Sequence, residues 1–355
     1  MNNDINVNIP GKDSSYKIFI DDSSIENLKA KIFNFIGESK YLVVISKKVF
    51  SLYGKVLNFD KNNIIIIPDG EKEKNISNYI KIIDRLEQDN LTRKSYIIAI
   101  GGGVIGDMAG FAAASYRRGI GLIQVPTTLL SCVDSSVGGK VAINTKKSKN
   151  MVGAFYQPSA VFINLNFLNT LDEKQFKSGL GEVLKYAFIE KSCMNVVDYK
   201  FFDFLNVNAE KIINRDFNFL DKIIRISLEL KVAVVTKDEK ESGLRKILNF
   251  GHTYGHALEE ITKFSTFTHG EAVVYGMYFI FNYAHKIQLI DANYKEKAIS
   301  FLNKFGFKDR PNMFNKNKLI EFMSSDKKIE NDKIKVIVPV APGFVKEMDL
   351  DKDKL

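Results

Sequence analysis

The stretch Tyr96-Ile-Ile-Ala-Ile100-Gly-Gly-Gly-Val-Ile-Gly-Asp107 decides the fold. Its first five residues are apolar without alternation, which marks a strand covered on both faces. Gly101, Gly103 and Gly106 then satisfy G-x-G-x-x-G, and Met108 to Ala114 continues with helical spacing. A strand that enters a helix through such glycines makes a tight turn. There a pyrophosphate can approach backbone N–H groups at the helix start. The acidic residue usual at the end of the next strand is not evident. Ribose or adenine contacts are therefore assigned to Asp69-Gly-Glu-Lys-Glu-Lys74, which follows an earlier strand.

Outward from this turn, Tyr41–Ile45 and Asn63–Ile67 also read as buried strands. Ile76, Ile80, Ile83 and Leu86 give Ile76–Gln88 one apolar helical face. The alternation is that of βαβ units in a parallel sheet with helices on its faces. Gly119–Pro126 and Ala160–Leu165 supply later strands. At Thr170-Leu-Asp-Glu173, which has capping-box spacing, the character changes to long helical patterns such as Phe219–Val235 and Gly255–Thr262. The boundary is set near Leu171. Residues 1–171 form an α/β, Rossmann-like domain and residues 172–355 an all-α domain. Only Ile334–Pro339 is β-like there, before a charged tail expected to fray.

Between Pro126 and Pro158 lies a long polar, glycine-rich segment carrying Asp134, Lys140, Asn144, Lys149 and Asn150. A loop of that size is functional or disordered, and the β-branched and aromatic content argues against disorder. Lys140, Lys149 and the earlier Arg118 are candidates to hold a phosphate.

The chain has 355 residues, enough for two domains, and 45% hydrophobic residues, enough for full cores. The net charge of +9 is spread along the sequence with acidic residues between, so an anionic small substrate explains it better than nucleic acid. Two cysteines are too few for a disulfide framework and fit a reducing, cytoplasmic setting. The start shows no signal-peptide pattern, and no apolar run reaches the roughly 20 residues that cross a bilayer.

Three of the four histidines fall in Leu248-Asn-Phe-Gly-His252-Thr-Tyr-Gly-His256 and His269-Gly-Glu271. His252 and His256 share a helical face, and His269 returns from a following element. A catalytic zinc takes three protein ligands and keeps one position open. His252 and His269 are two candidates, and Glu182, in Ser178-Gly-Leu-Gly-Glu182-Val-Leu-Lys185, is the third. His256 is left as a ligand or a proton carrier. His285 reads as a surface residue.

Assembled, these segments closely resemble the 3-dehydroquinate synthase family. The matches include Pro68–Glu71, Gly101–Asp107, Val125–Leu130, Asp134–Lys140, Lys149–Phe155, Gly181–Lys185, Gly243–Arg245, Leu248–His252 and His269–Glu271, in the family's order. The terminal segments match weakly. The resemblance implies an NAD-binding Rossmann-like domain and a helical domain holding zinc, with cobalt an alternative. It maps the metal ligands onto Glu182, His252 and His269 and makes His256 a substrate-side group. Lys140, Lys149, Asn150, Arg118, Asn249, Arg245, Lys231 and Lys185 map around the substrate's phosphate, hydroxyls and carboxylate, with Asp134 in the same cleft. One of Lys327 and Lys328 corresponds to a late lysine motif. NAD+ contacts are implied for Asp69, Gly70, Glu71, Lys72, Glu73 and Lys74. They are also implied for Gly103, Val104, Ile105, Gly106 and Asp107, for Thr127 and Thr128, and for Phe167, Leu168, Asn169 and Thr170. Ser46 departs from the stronger ribose partner expected after the first inner strand. The implied reaction turns 3-deoxy-D-arabino-heptulosonate 7-phosphate, a phosphorylated sugar acid, into 3-dehydroquinate and phosphate without net redox. The substrate's own phosphate serves as the base. A homodimer is implied, with no membrane or nucleic-acid partner. The rivals are another cyclase of the superfamily, a metal-dependent polyol dehydrogenase and a basic binding module.

Overall fold

In a computed structural model of the chain, residues 4–9, 15–146, 148–193, 198–309, 316–325, 329–330, 333–351 and 354 are described. Two compact units divide it, Met1–Leu171 and Asp172–Leu355.

The first unit is built on nine strands: β1 (Ile5–Val7), β2 (Tyr16–Asp21), β3 (Tyr41–Ser46), β4 (Ile64–Ile67), β5 (Tyr96–Gly101), β6 (Gly121–Pro126), β7 (Lys140–Ile143), β8 (Val152–Phe155) and β9 (Ala160–Asn164). Seven make one sheet in the order β1-β2-β9-β6-β5-β3-β4, in which only β1 runs antiparallel. Helices α1 (Ile25–Ile36) and α2 (Lys47–Leu57) cover one face, and α3 (Ile76–Gln88) and α4 (Gly103–Ser115) the other. Leu42, Val44, Ile97 and Ala99 point to one core and Val43, Ile45, Ile98 and Ile100 to the other. That is why these runs are apolar without alternation.

After β3 the chain turns into α2 on one face, and after the adjacent β5 into α4 on the opposite face. This is the switch point where open α/β sheets bind ligands, outside the carboxyl ends of the strands. The segment from Pro126 to Pro158, expected as a loop, contains the antiparallel pair β7 and β8. Its Val141 packs so closely on α4 that a Cβ on Gly110 would lie 2.4 Å from it.

The second unit carries α5 (Glu173–Ile189), α6 (Phe201–Val207), α7 (Ala209–Ile213), α8 (Phe217–Lys237), α9 (His252–Ile261), α10 (His269–Lys286), α11 (Ala292–Lys304) and α12 (Lys316–Ser325). Its helical character is broken by a three-stranded antiparallel sheet of β10 (Ile329–Glu330), β11 (Lys333–Ala341) and β12 (Phe344–Asp349). The β-like run Ile334–Pro339 lies within β11. The cap of α5 is Asp172, whose side chain accepts from Gln175 N–H, and not Thr170 as its spacing suggests. The Thr170 hydroxyl instead meets Tyr53 of α2 at 2.7 Å. Among the described residues no helix is long and apolar enough to cross a membrane.

Candidate metal and dinucleotide sites

Two helix contacts bring the histidines and Glu182 together, and each depends on a glycine beside a candidate ligand. A Cβ on Gly181 would lie 2.4 Å from the Gly270 carbonyl, and one on Gly276 would lie 1.8 Å from the Gly251 carbonyl. The backbones of α5 and α10, and of α10 and the turn into α9, are therefore in contact. Glu182 follows Gly181, His252 follows Gly251, and His269 precedes Gly270. Thr268 and Glu271 form a full capping box that fixes where α10, and with it His269, begins.

His252 Nε2 lies 3.3 Å and His269 Nε2 3.5 Å from Glu182 Oε1. One donor atom from each of the three residues falls within 4.8 Å of the others. The second ring nitrogens are also engaged: His252 Nδ1 lies 3.1 Å from the Phe250 carbonyl, and His269 Nδ1 3.1 Å from Glu259 Oε2. Bonds of this kind fix the tautomer and aim the Nε2 lone pair at a cation. Among the described residues Glu182 accepts no well-directed hydrogen bond, although both oxygens are buried. Lys185 Nζ stands 2.5 Å from Oε2.

The charges follow. Burial alone would raise the Glu182 carboxyl, yet Lys185 and His252 hold it well below the usual range. Burial pushes His252 down to about 4 against the pull of Glu182. Burial also works against a charged His269, but Glu259 and Glu182 override it and hold it up to about 10. Buried carboxylates are held by opposite charges or by metal ions. Two imidazole nitrogens and a carboxylate oxygen converging in one place thus fit a divalent cation with nitrogen and oxygen ligands.

His256 stands outside this trio. Its ring centroid is 5.5 Å from that of His252 and 5.9 Å from that of His269, and it groups with Glu259 and His269. Lys231 and Arg245 are buried in the second unit. The Arg245 guanidinium donates to the Glu239 carbonyl, and the Asn249 amide donates to Glu241 at 2.5 Å. Both residues sit on the 3-10 turn Leu244–Asn249 that leads into His252. Lys327 and Lys328 lie outside the described residues.

In the first unit, α4 starts at Gly103 with Gly102, which has no side chain, as its cap. Such an end attracts an anion. A Cβ on Gly106 would come within 2.7 Å of the buried Gln124 side chain, so this glycine sets how closely α4 lies on β6. Thr127 donates its N–H to the Gly101 carbonyl at 3.0 Å, placing Thr127 and Thr128 beside the glycine turn. The buried Lys74 ammonium joins Asp107 to Asn150. Asn144 donates to Glu71 at 2.7 Å and accepts from Asn150 N–H at 2.9 Å. Glu71, Lys74, Asp107, Asn144 and Asn150 thus form one network. Lys140 begins β7 opposite Phe155, Lys149 lies in the connection between β7 and β8, and Asp134 lies in the turn Ser131–Ser135 after Thr128.

Ser46 and Asp69 both bond to the start of α2. Ser46 Oγ accepts from Val49 N–H at 3.2 Å and Asp69 Oδ2 from Lys48 N–H at 2.8 Å, so both cap α2. Phe167 and Leu168 are buried, with Phe167 packed edge-on against Tyr53 at 5.1 Å, while Asn169 and Thr170 are exposed. Arg118 is not brought to this end. It precedes β6, whose Gly121 pairs with Tyr96, whereas Pro126 pairs with Gly101 at the glycine turn.

Glu259 and Asp238 are site-building residues that the sequence reading missed. Glu259 had a signal: His252, His256 and Glu259 recur at i, i+4 and i+7, one face of α9.

The α/β unit and the helical unit have a dehydroquinate synthase-like fold. The structure of 2-deoxy-scyllo-inosose synthase with carbaglucose-6-phosphate, NAD+ and Co2+ is 24% identical, covers 99% of this chain and 98% of its own, and has a TM-score of 0.84. The 2-epi-5-epi-valiolone synthase of Streptomyces hygroscopicus subsp. jinggangensis, solved with NAD+ and Zn2+, is 22% identical over 97% of this chain and 95% of its own, with a TM-score of 0.84. Within that class, family profiles for the 3-dehydroquinate synthase N-terminal and C-terminal regions match residues 64–178 and 179–329. The 3-dehydroquinate synthase of Dictyoglomus thermophilum is 42% identical over 344 residues, 97% of this chain and 94% of its own. The chain belongs to the 3-dehydroquinate synthase family.

Proposed function

We propose that this chain is a phosphate-eliminating carbon–oxygen lyase. It converts 3-deoxy-D-arabino-heptulosonate 7-phosphate to 3-dehydroquinate and phosphate, in the route to aromatic amino acids. The observation that carries this reading is the convergence of Glu182, His252 and His269 in a chain alike, over nearly its full length, to 3-dehydroquinate synthases. When bound, NAD+ supplies a hydride acceptor that gives the hydride back, and zinc or cobalt supplies a Lewis acid for substrate oxygens. The α4 amino terminus, with Thr127 and Thr128, is suited to the dinucleotide's phosphates, and residues 69–74 and 167–170 flank that position. Glu182, His252 and His269 hold the metal. Lys185, Lys231, Arg245 and Asn249 present cationic and amide groups to substrate carboxylate and hydroxyls. Lys140, Lys149 and Asn150 do so for phosphate, and His256 carries a proton on that side. A place for Arg118 in the same set is not supported within this chain. The cytoplasm and a homodimeric state rest on the resemblance.

A coupled dehydroquinate assay tests the proposal, run with NAD+ and with or without a chelator. Phosphate and dehydroquinate should form in equal amounts, the chelator should stop both, and NADH should not accumulate. Turnover restricted to heptose 7-phosphates that lack the carboxylate would point to another cyclase. NADH formed mole for mole with product would point to a polyol dehydrogenase.

A further inference from the structure

Glu259 is 5% exposed and sits on α9, facing the same way as His252 and His256. Its Oε2 is 3.1 Å from His269 Nδ1. A carboxylate there can only accept, so Nδ1 keeps a proton and Nε2 is the atom left to give up its own to a metal. Nε2 is the atom that faces Glu182 at 3.5 Å. The equivalent task for His252 falls to a backbone carbonyl, that of Phe250. Among the described residues, then, His269 has the ligand tautomer that a side chain selects. The Glu259 carboxylate groups with His256 and His269, so it borders both a metal ligand and the proton-carrying imidazole.

We propose that Glu259 is the positioning residue of the metal centre, making His269 a competent ligand by holding its ring orientation and tautomer. The inference rests on the metal reading above and goes beyond it by naming a residue that touches neither metal nor substrate. Loss of such a partner typically weakens metal binding about 10–100-fold.

The test is zinc affinity, measured by competition with a chromophoric chelator, on the full-length wild type, Glu259→Gln, Glu259→Ala and His252→Ala. The visible spectrum of each protein loaded with Co2+ is recorded beside it. Glu259→Ala should bind zinc at least about 10-fold more weakly than wild type. Glu259→Gln, whose amide oxygen can still accept from Nδ1, should lose less, and both cobalt spectra should change. Should the alanine variant not fold, the glutamine variant, equal in size to the native side chain, decides the matter through its cobalt spectrum and affinity. Wild-type affinity and an unchanged cobalt spectrum in the Glu259 variants, with His252→Ala defective, would overturn the positioning role and leave the metal site standing. Wild-type zinc binding in His252→Ala, or none in the wild type, would remove the metal reading and the inference with it.

Discussion

At the scale of single residues, the pair Glu182 and Lys185 shows how a buried charge is kept. Both side chains are 1% exposed, and the Lys185 ammonium stands 2.5 Å from Glu182 Oε2. Replacing Glu182 by Gln keeps the shape and removes the carboxylate charge beside the buried ammonium. Breaking one side of such a pair costs about 3 kcal/mol or more. Urea unfolding of metal-free Glu182→Gln should show that loss, together with loss of zinc from the loaded protein; wild-type stability would mean the pair is held by other groups. Asp238 works by hydrogen bonds instead. Its carboxylate accepts from the N–H groups of Ser242, Gly243 and Arg245, at 2.9, 2.7 and 2.9 Å, and so shapes the turn that carries Arg245. Burial would raise its pKa, but these bonds bring it down to about 2 from an ordinary 3.8. A depressed carboxylate stabilises the fold above its unfolded pKa, and that stability fades as pH falls from about 4 to about 2. With exposed neighbours at Ser242 and Gly243 the effect is on the order of 1 kcal/mol. Wild type should lose this increment on acidification through that window while Asp238→Ala, already lacking it, should not; parallel stability curves would refute the staple. The spacing of His252, His256 and His269 was legible because a helical period assigns faces. The partner of a ring nitrogen was not, because Glu259 and Asp238 act through atoms whose direction no period specifies.

At the scale of elements, glycine placement decides whether the ligands meet. Gly270 donates its N–H to Ser178 Oγ at 3.2 Å, and a Cβ on it would lie 1.8 Å from the Ser178 carbonyl. Backbone cannot swing aside as a long side chain can, so Gly270→Ala should push α10 off α5 and separate His269 from Glu182. We expect a stability loss of about 3 kcal/mol, at the upper end for overpacking, and weakened zinc binding. A melting temperature and zinc affinity equal to wild type would show that the crossing has slack. The sequence announced these elements unevenly. β3 and β5 were readable as unbroken apolar runs and α3 from its helical period, because each buries whole faces. β7 and β8 were read as loop because Lys140–Ile143 and Val152–Phe155 are short and set among glycines. The cap of α5 moved from Thr170 to Asp172, since two residues in one stretch offered capping chemistry and only the three-dimensional path separates them. The aspartate's oxygen reaches Gln175, whereas the threonine hydroxyl is turned to Tyr53.

At the scale of the whole molecule, the candidate dinucleotide groups lie in the unit ending at Leu171 and the candidate metal ligands in the unit beginning at Asp172. The histidine motif and glycine turn were each legible in sequence because their atoms come from short, local stretches. Glu182 lies seventy residues before His252 in the chain, and it was legible only through its glycine-rich setting. If the two sites are separable, each ligand should protect its own elements from amide hydrogen exchange, since binding to the folded state suppresses local opening. NAD+ should slow exchange at the start of α4 and around Thr127 and Thr128. Zinc should slow it in α5, α9 and the first turn of α10. In His252→Ala the zinc effect should vanish while the NAD+ effect persists, because that histidine belongs to the second unit. Mass-spectrometric exchange at peptide resolution reads both effects in one experiment. Zinc protection centred on α4, or loss of NAD+ protection in His252→Ala, would show that one of the two sites has been assigned to the wrong unit.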